Sequence, residues 1–282
     1  MAAMKVPAKR SVIPHKAGAG AVADRLSAPS PEAAFAVTAS QSTPTPFALK
    51  CGDTFAVLDG RGDMPGLLGG SAGLFHCDTR YLSRFVLLIN DTAPLLLGSN
   101  LRDDNSALVV DLTNPDFVSG PQIAMEKDTV HILRTFFLWR DIAYQRLALR
   151  NYGDRRIDLR LSLLFESDFA DLFEVRGSRR ERRGRVTAEL RGRDQVVLAY
   201  DGLDLRLRQT MLTFDPLPQW ITAGGAAYDL QLSPGEMRPI FVAVSCDSNE
   251  ERPPTFARGL IAARRDMRAS TRGMTSVETS ND

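Results

Sequence analysis

From Phe47 onward the hydrophobic positions recur every second residue. Ile157, Leu159, Leu161, Leu163 and Phe165 alternate with Asp158, Arg160, Ser162 and Glu166. Successive side chains on a strand point to opposite faces, so this stretch predicts a strand with one face on a core and one in water. Residues 203–208 and 228–232 alternate in the same way. Further strands are predicted over 54–58, 81–89, 94–98, 106–112, 129–138, 144–150, 185–190, 195–200 and 238–245. Turn-forming residues separate them, among them Asp59-Gly60, Asn90-Asp91, Asp201-Gly202, Gly224-Gly225 and Ser233-Pro-Gly235. Short strands joined by tight turns, without intervening long helical patterns, predict an all-β fold. The expected architecture is a large antiparallel β-sandwich, not a parallel α/β sheet.

Two stretches depart from this period. Residues 1–46 are rich in Ala, Ser, Pro and Thr and close on Ser42-Thr-Pro-Thr-Pro46. Such a segment cannot bury enough apolar surface to offset its ordering entropy, so a disordered tail is expected. At the other end, Phe256, Leu260, Ala263 and Met267 fall at helical spacing after Pro253-Pro254. They form the single apolar stripe of an amphipathic helix. The expected organisation is therefore a tail over 1–46, a β-sandwich over 47–248, and a connector helix with a polar end over 249–282.

Composition narrows the function classes. A chain of 282 residues suffices for one large domain. Lys+Arg 35 against Asp+Glu 34 gives a net charge of +1, which offers nothing to a general polyanion-binding role. Three scattered cysteines (Cys51, Cys77 and Cys246) make neither a disulfide framework nor a zinc site and suit a reducing compartment. With no membrane-length apolar run and no secretory signal pattern, a cytoplasmic location is expected. Gly66-Leu-Leu-Gly-Gly-Ser71 lacks the Lys-Ser/Thr ending of a phosphate loop, and metal-ligand spacing is missing. No cofactor and no metal are expected.

The densest polar group is Gly73-Leu-Phe-His-Cys-Asp-Thr-Arg-Tyr-Leu-Ser-Arg84. On a continuous strand His76, Asp78 and Arg80 would share one face, as a polar ladder or as the lining of a ligand-facing or domain-facing surface. Carboxylates cluster at Asp103-Asp104 beside Arg102, and at Asp168, Asp171 and Glu174. Paired carboxylates suit glycoside hydrolysis, but nearby arginines (Arg102, Arg176, Arg179) make salt bridges the favoured role. The segment 176–185 holds six arginines without interleaved aromatics, so a solvated loop is expected and not a nucleic-acid surface. Trp139 and Trp220 are candidate stacking platforms for sugar rings, against the commoner core role of aromatics.

Several motifs, in order, resemble one family. They are Phe47-Ala-Leu-Lys-Cys-Gly-Asp-Thr-Phe55, the 73–84 segment, Ser99-Asn-Leu-Arg-Asp-Asp-Asn105, Val110-Asp-Leu-Thr-Asn-Pro-Asp116, Arg134-Thr-Phe-Phe-Leu-Trp139, Leu149-Arg-Asn-Tyr-Gly-Asp154 and Asp168-Phe-Ala-Asp-Leu-Phe-Glu-Val-Arg-Gly177. Together they resemble the N-terminal domain of bacterial glycogen debranching enzymes of the amylo-α-1,6-glucosidase type. The resemblance covers about 47–270 and implies a supersandwich-like domain that precedes an (α/α)6 barrel carrying the catalytic carboxylates. It implies no catalytic residue in this chain, which is expected to lack the barrel and to be inactive by itself. The residues expected at a carbohydrate-binding rim or domain interface are His76, Asp78, Arg80, Arg102, Asp103, Asp104 and Trp139. The expected partners are a helical-barrel domain or separate chain, or a second copy, with α-glucan as ligand; no nucleic acid or membrane is expected. The alternatives are a standalone α-glucan-binding module and a small glycoside hydrolase.

Overall fold

The structure, a computed structural model, describes residues 11–12, 46–66, 70–102, 105–120, 122–247 and 252–271. All but two residues at 11–12 and Pro46 of the expected N-terminal tail lie outside these. A nine-stranded sheet runs in spatial order Ser11–Val12, Arg185–Arg191, Gln195–Asp201, Leu207–Asp215, Met237–Cys246, Ile142–Asn151, Val130–Trp139, Ala107–Thr113 and Leu95–Leu101. A five-stranded sheet is ordered Trp220–Thr222, Gly225–Leu232, Ile157–Glu166, Arg84–Ile89, Met64–Pro65. A four-stranded sheet comprises Phe47–Cys51, Thr54–Leu58, Gly73–His76 and Thr79–Leu82. Phe117–Ser119 and Gln122–Met125 form a separate ribbon. Pairing is antiparallel throughout, so the antiparallel β-sandwich expected from the period-two pattern is the fold observed.

The alternation decides which side chains meet. Along Val130–Trp139, Val130, Ile132, Phe136 and Leu138 enter the main core, together with Leu159, Leu161, Leu163 and Phe165 from the opposing sheet. Each fully buried side chain of this kind contributes about 1.5–3 kcal/mol relative to exposure. The intervening residues of Val130–Trp139 face the outer side of the nine-stranded sheet. There Phe137 joins Tyr144, Ile142, Ala107 and Ala243 in a second, smaller cluster.

Among the buried polar side chains, Arg134 carries a charge into the main core. Arg134 is fully buried, donating to Asp63 Oδ1 at 2.6 Å and to the Arg61 carbonyl at 3.0 Å. Its guanidinium lies 5.2 Å from the Phe136 ring centroid and 5.9 Å from that of Phe85. Asp63 Oδ1 also accepts from the Leu87 N–H at 3.1 Å. Burial pushes the Asp63 carboxyl above its ordinary value, against the opposing pull of Arg134.

Two predicted strands are corrected. The run 81–89 is two strands: Thr79–Leu82 pairs with Gly73–His76, and Arg84–Ile89 pairs with Ile157–Glu166. The chain changes sheets at Ser83, whose N–H and hydroxyl both reach the Glu166 carbonyl, at 2.8 and 3.1 Å. Residues 203–206 form a turn, with Leu205 at φ 62° and 96% exposed. Asp204 holds that turn by accepting from the Arg206 N–H and pairing with Arg208. The contact with Arg208 draws the Asp204 carboxyl down to about 2. A charged turn thus reproduced the spacing of a strand.

Candidate functional site

The predicted residues separate into two places. Cys77 and Asp78 have φ of 43° and 61°, so the expected single strand through His76, Asp78 and Arg80 is instead a hairpin with its turn at 77–78. The correction has a local cause, since left-handed backbone interrupts the alternation of faces. His76 Nδ1 is 2.9 Å from Thr54 Oγ1, and its Nε2 is 3.4 Å from Cys77 Sγ. Burial and the carboxylates of Asp53, Asp247 and Asp78 push the Cys77 thiol up, which disfavours a nucleophilic thiolate. Asp78 is exposed, and its carbonyl accepts from Leu172 N–H at 3.1 Å. Arg80 is buried and grips Asp168 with two nitrogens at 3.1 and 2.5 Å, while donating to the carbonyls of Gly70 and Ala72. These contacts fasten the hairpin to the segment after Ile157–Glu166.

The second carboxylate cluster is structural. Asp171 caps the short helix α1 (Leu172–Val175), accepting from Phe173 and Glu174 N–H at 2.9 and 2.8 Å, and Glu174 returns a bond to the Asp171 N–H. Partial burial opposes ionisation of Asp171, but the Glu174 N–H and Arg180 outweigh it and hold the carboxyl below its ordinary value. Around α1 the expected partners Arg176 and Arg179 are replaced by Arg80, Arg180 and Arg183. The arginine loop is exposed, as its composition implied, yet two of its members are tied to α1.

The other predicted residues meet at the outer face of the nine-stranded sheet. Helix α2 (Phe256–Thr271) lies there, with Leu260 and Ala263 packed on the smaller cluster. The Phe256 ring stands 5.1 Å from Phe137 and 5.3 Å from Phe241. Gly259 permits the approach, because a Cβ there would come within 2.7 Å of the Tyr144 ring. Beside the helix runs a groove of about 990 Å³. Trp139 and Arg102 line it, as do Lys50, Arg140, Arg146, Arg264, Asp266 and Arg268. The Trp139 N–H donates to Asp266 Oδ2 at 3.0 Å and, with Arg265 and Arg140, holds that carboxyl below its ordinary value. The Arg140 guanidinium lies 4.6 Å from the Trp139 ring centroid. Asp103 and Asp104 lie outside the described residues.

Sequence reasoning missed Lys50, Arg140, Arg146, Arg264 and Asp266. Face assignment along the paired strands 130–139 and 142–151 could have found Arg146, since it sits opposite Thr135 on the face away from the core. Lys50, Arg264 and Asp266 come from distant strands and the helix, and nothing in local spacing brings them together. The second tryptophan, Trp220, is elsewhere: it is half-exposed on the five-stranded sheet, with Arg160 stacked 4.5 Å from its centroid. No helix among the described residues is long and apolar enough to cross a membrane. Among the described residues no three His, Cys, Asp or Glu side chains are grouped to hold a metal ion.

Comparison with solved structures gives remote likeness. A chain described as a kojibiose phosphorylase from the human microbiome shares 12% identity and a TM-score of 0.46, covering 81% of this chain. This chain spans only about a third of that protein (33%). The Slr1438 protein of Synechocystis sp. PCC 6803 also shares 12% identity at a TM-score of 0.46, over 73% of this chain and 96% of its own. A galactose mutarotase-like protein from Clostridium acetobutylicum shares 7% identity at 0.40, over 71% and 94% respectively. None of the curated proteins matches the sequence. The sequence pattern for the N-terminal domain of some glycogen debranching enzymes, by contrast, matches residues 49–243. That match spans the sandwich from the strand Phe47–Cys51 to within Met237–Cys246, and by it this chain belongs to the family of N-terminal domains of glycogen debranching enzymes.

Proposed function

We propose that this domain is the non-catalytic β-sandwich of an amylo-α-1,6-glucosidase-like protein of cytoplasmic α-glucan metabolism. Its role is to support a helical (α/α)6 barrel, supplied by the same polypeptide or a separate chain, and to lend residues to the rim of a saccharide cleft. The observation that supports this most directly is α2. The helix packs one flank on the sheet through Phe256, Leu260 and Ala263 while Ile261 stands 69% exposed on the other side. An apolar side chain on the free side of a helix already packed on a sheet offers one point of contact to a second body. Arg102 and Trp139 fit the rim role because they line the groove beside that helix. His76, Asp78 and Arg80 fit a supporting role through the hairpin they stabilise.

The test is reconstitution. A helical-barrel domain of this family is assayed on limit dextrin with and without this chain. The expected result is a rate raised about tenfold or more by the added chain, and no glucose release by this chain alone. Equal rates with and without it overturn the reading. A second reading, a glucan-binding module, is favoured by the half-exposed Trp220 platform. It requires retention on glycogen that Trp220→Ala abolishes.

A further inference from the structure

The groove beside α2 carries a charge pattern that docking of a barrel does not require. Among the described residues that line it, Lys50, Arg140, Arg146 and Arg264 are basic, beside Arg102 and Arg268, which make contacts of their own, and Asp266 is the one carboxylate. The whole chain is near neutral, at +1, so this is a local concentration. Several strand arginines elsewhere are matched to carboxylates: Arg160 with Asp229, Arg208 with Asp204, Arg238 with Glu236. Arg146 is not. It lies half-buried on the floor of the groove, with Thr135 and Phe241 opposite it on the neighbouring strands. Among the described residues it forms no ion pair and no hydrogen bond.

A guanidinium presents five donors in a fixed fork that matches phosphate or carboxylate oxygens, and partial burial strengthens that pairing. The volume, about 990 Å³, is that of a small-molecule site and far exceeds a lone phosphate. Its wall also carries apolar surface from Trp139, of the kind that packs on the C–H face of a sugar ring. Carboxylate acceptors for sugar hydroxyls are scarce, because Asp266 is already engaged by Trp139 and Arg265. A neutral glucan segment therefore leaves Arg146 without an ionic partner, whereas a phosphate monoester answers it.

We propose that this groove binds a phosphorylated saccharide, with the phosphate held among Arg140, Arg146 and Arg264 and the sugar against Trp139. The sugar half of the inference rests on the α-glucan reading above; the phosphate half rests on the charge of the groove alone. The test is calorimetric titration of the full chain with glucose 6-phosphate, glucose, maltotetraose, inorganic phosphate and a polyglutamate peptide. The expected result is glucose 6-phosphate binding at least about tenfold tighter than glucose or inorganic phosphate, weakened about tenfold by Arg146→Gln and steeply by salt. Arg264→Gln, at an exposed position on α2, is the second variant, expected to weaken binding severalfold with the melting temperature unchanged. Maltotetraose binding without any phosphate preference overturns this proposal and leaves the α-glucan reading intact. Inorganic phosphate binding as tightly as the sugar phosphate overturns the saccharide assignment. Binding of polyglutamate but not of glucose 6-phosphate overturns it in favour of an acidic polypeptide.

Discussion

Arg134 and Arg146 occupy adjacent strands of one sheet, one register step apart, and meet opposite environments. Arg134 faces the core, where Asp63, a backbone carbonyl and two aromatic rings surround it. Arg146 faces outward onto the groove, with no carboxylate paired to it among the described residues. The same side chain is structural on one face and available on the other, and the pleat alone decides which. The inner charge is held by matched groups because an unmatched ion in a dry core is very costly. The outer charge keeps contact with water, so leaving it unmatched costs little and preserves it for a ligand.

Removing the inner partner is the severest way to break this contrast. Asp63→Ala strands a buried guanidinium and is expected to lower stability by about 3–5 kcal/mol in a denaturant titration. Arg146→Gln should change it by less than about 0.5 kcal/mol. If both cost the same, the two faces are not different in kind. The double replacement Asp63→Leu with Arg134→Met, which removes both charges together, should recover most of the loss.

Detaching the helix sharpens the contrast at the outer face. Phe256→Ala is expected to cost about 1–3 kcal/mol, less than a full core truncation because the ring is only half-buried. Hydrogen exchange should then rise across 256–271 while 130–139 stays protected. Uniform loss of protection in both would mean the helix is part of the main core.

Smaller still is the α1 cap, where Asp171→Ala should cost about 1 kcal/mol. The Asp171 carboxyl is held below its ordinary value, so its contribution is present above the usual carboxylate range and is lost as pH falls through the depressed value. The stability gap between wild type and Asp171→Ala should therefore narrow below about pH 4. A gap that stays constant to pH 2 would show that the cap does not depend on the charge.

Much of the fold was legible because the core positions obey one period. Ile157 to Phe165 proved a strand with its apolar residues buried, and Phe256, Leu260 and Ala263 proved the packed stripe of a helix. The failures share a physical origin. At 77–78 and 203–206 the alternation of residue types continues through backbone that is left-handed or turned, so side-chain spacing no longer reports side-chain direction. The site was legible only in fragments. Arg102 and Trp139 stood out by type, but the groove is assembled by strand order and by one helix. Lys50 and Arg264 are 214 positions apart in the chain and share no local pattern.

Gly259 has an effect beyond its own contact. The distance between α2 and the sheet is set where its bare backbone rests on the Tyr144 ring. Any side chain at this point acts as a wedge under the first turns of the helix, lifting the wall that carries Arg264, Asp266 and Arg268. The aperture of the groove can therefore be retuned from a position that lines none of it. Among natural variants, the residue at 259 would report the girth of the ligand before any cation in the groove had changed.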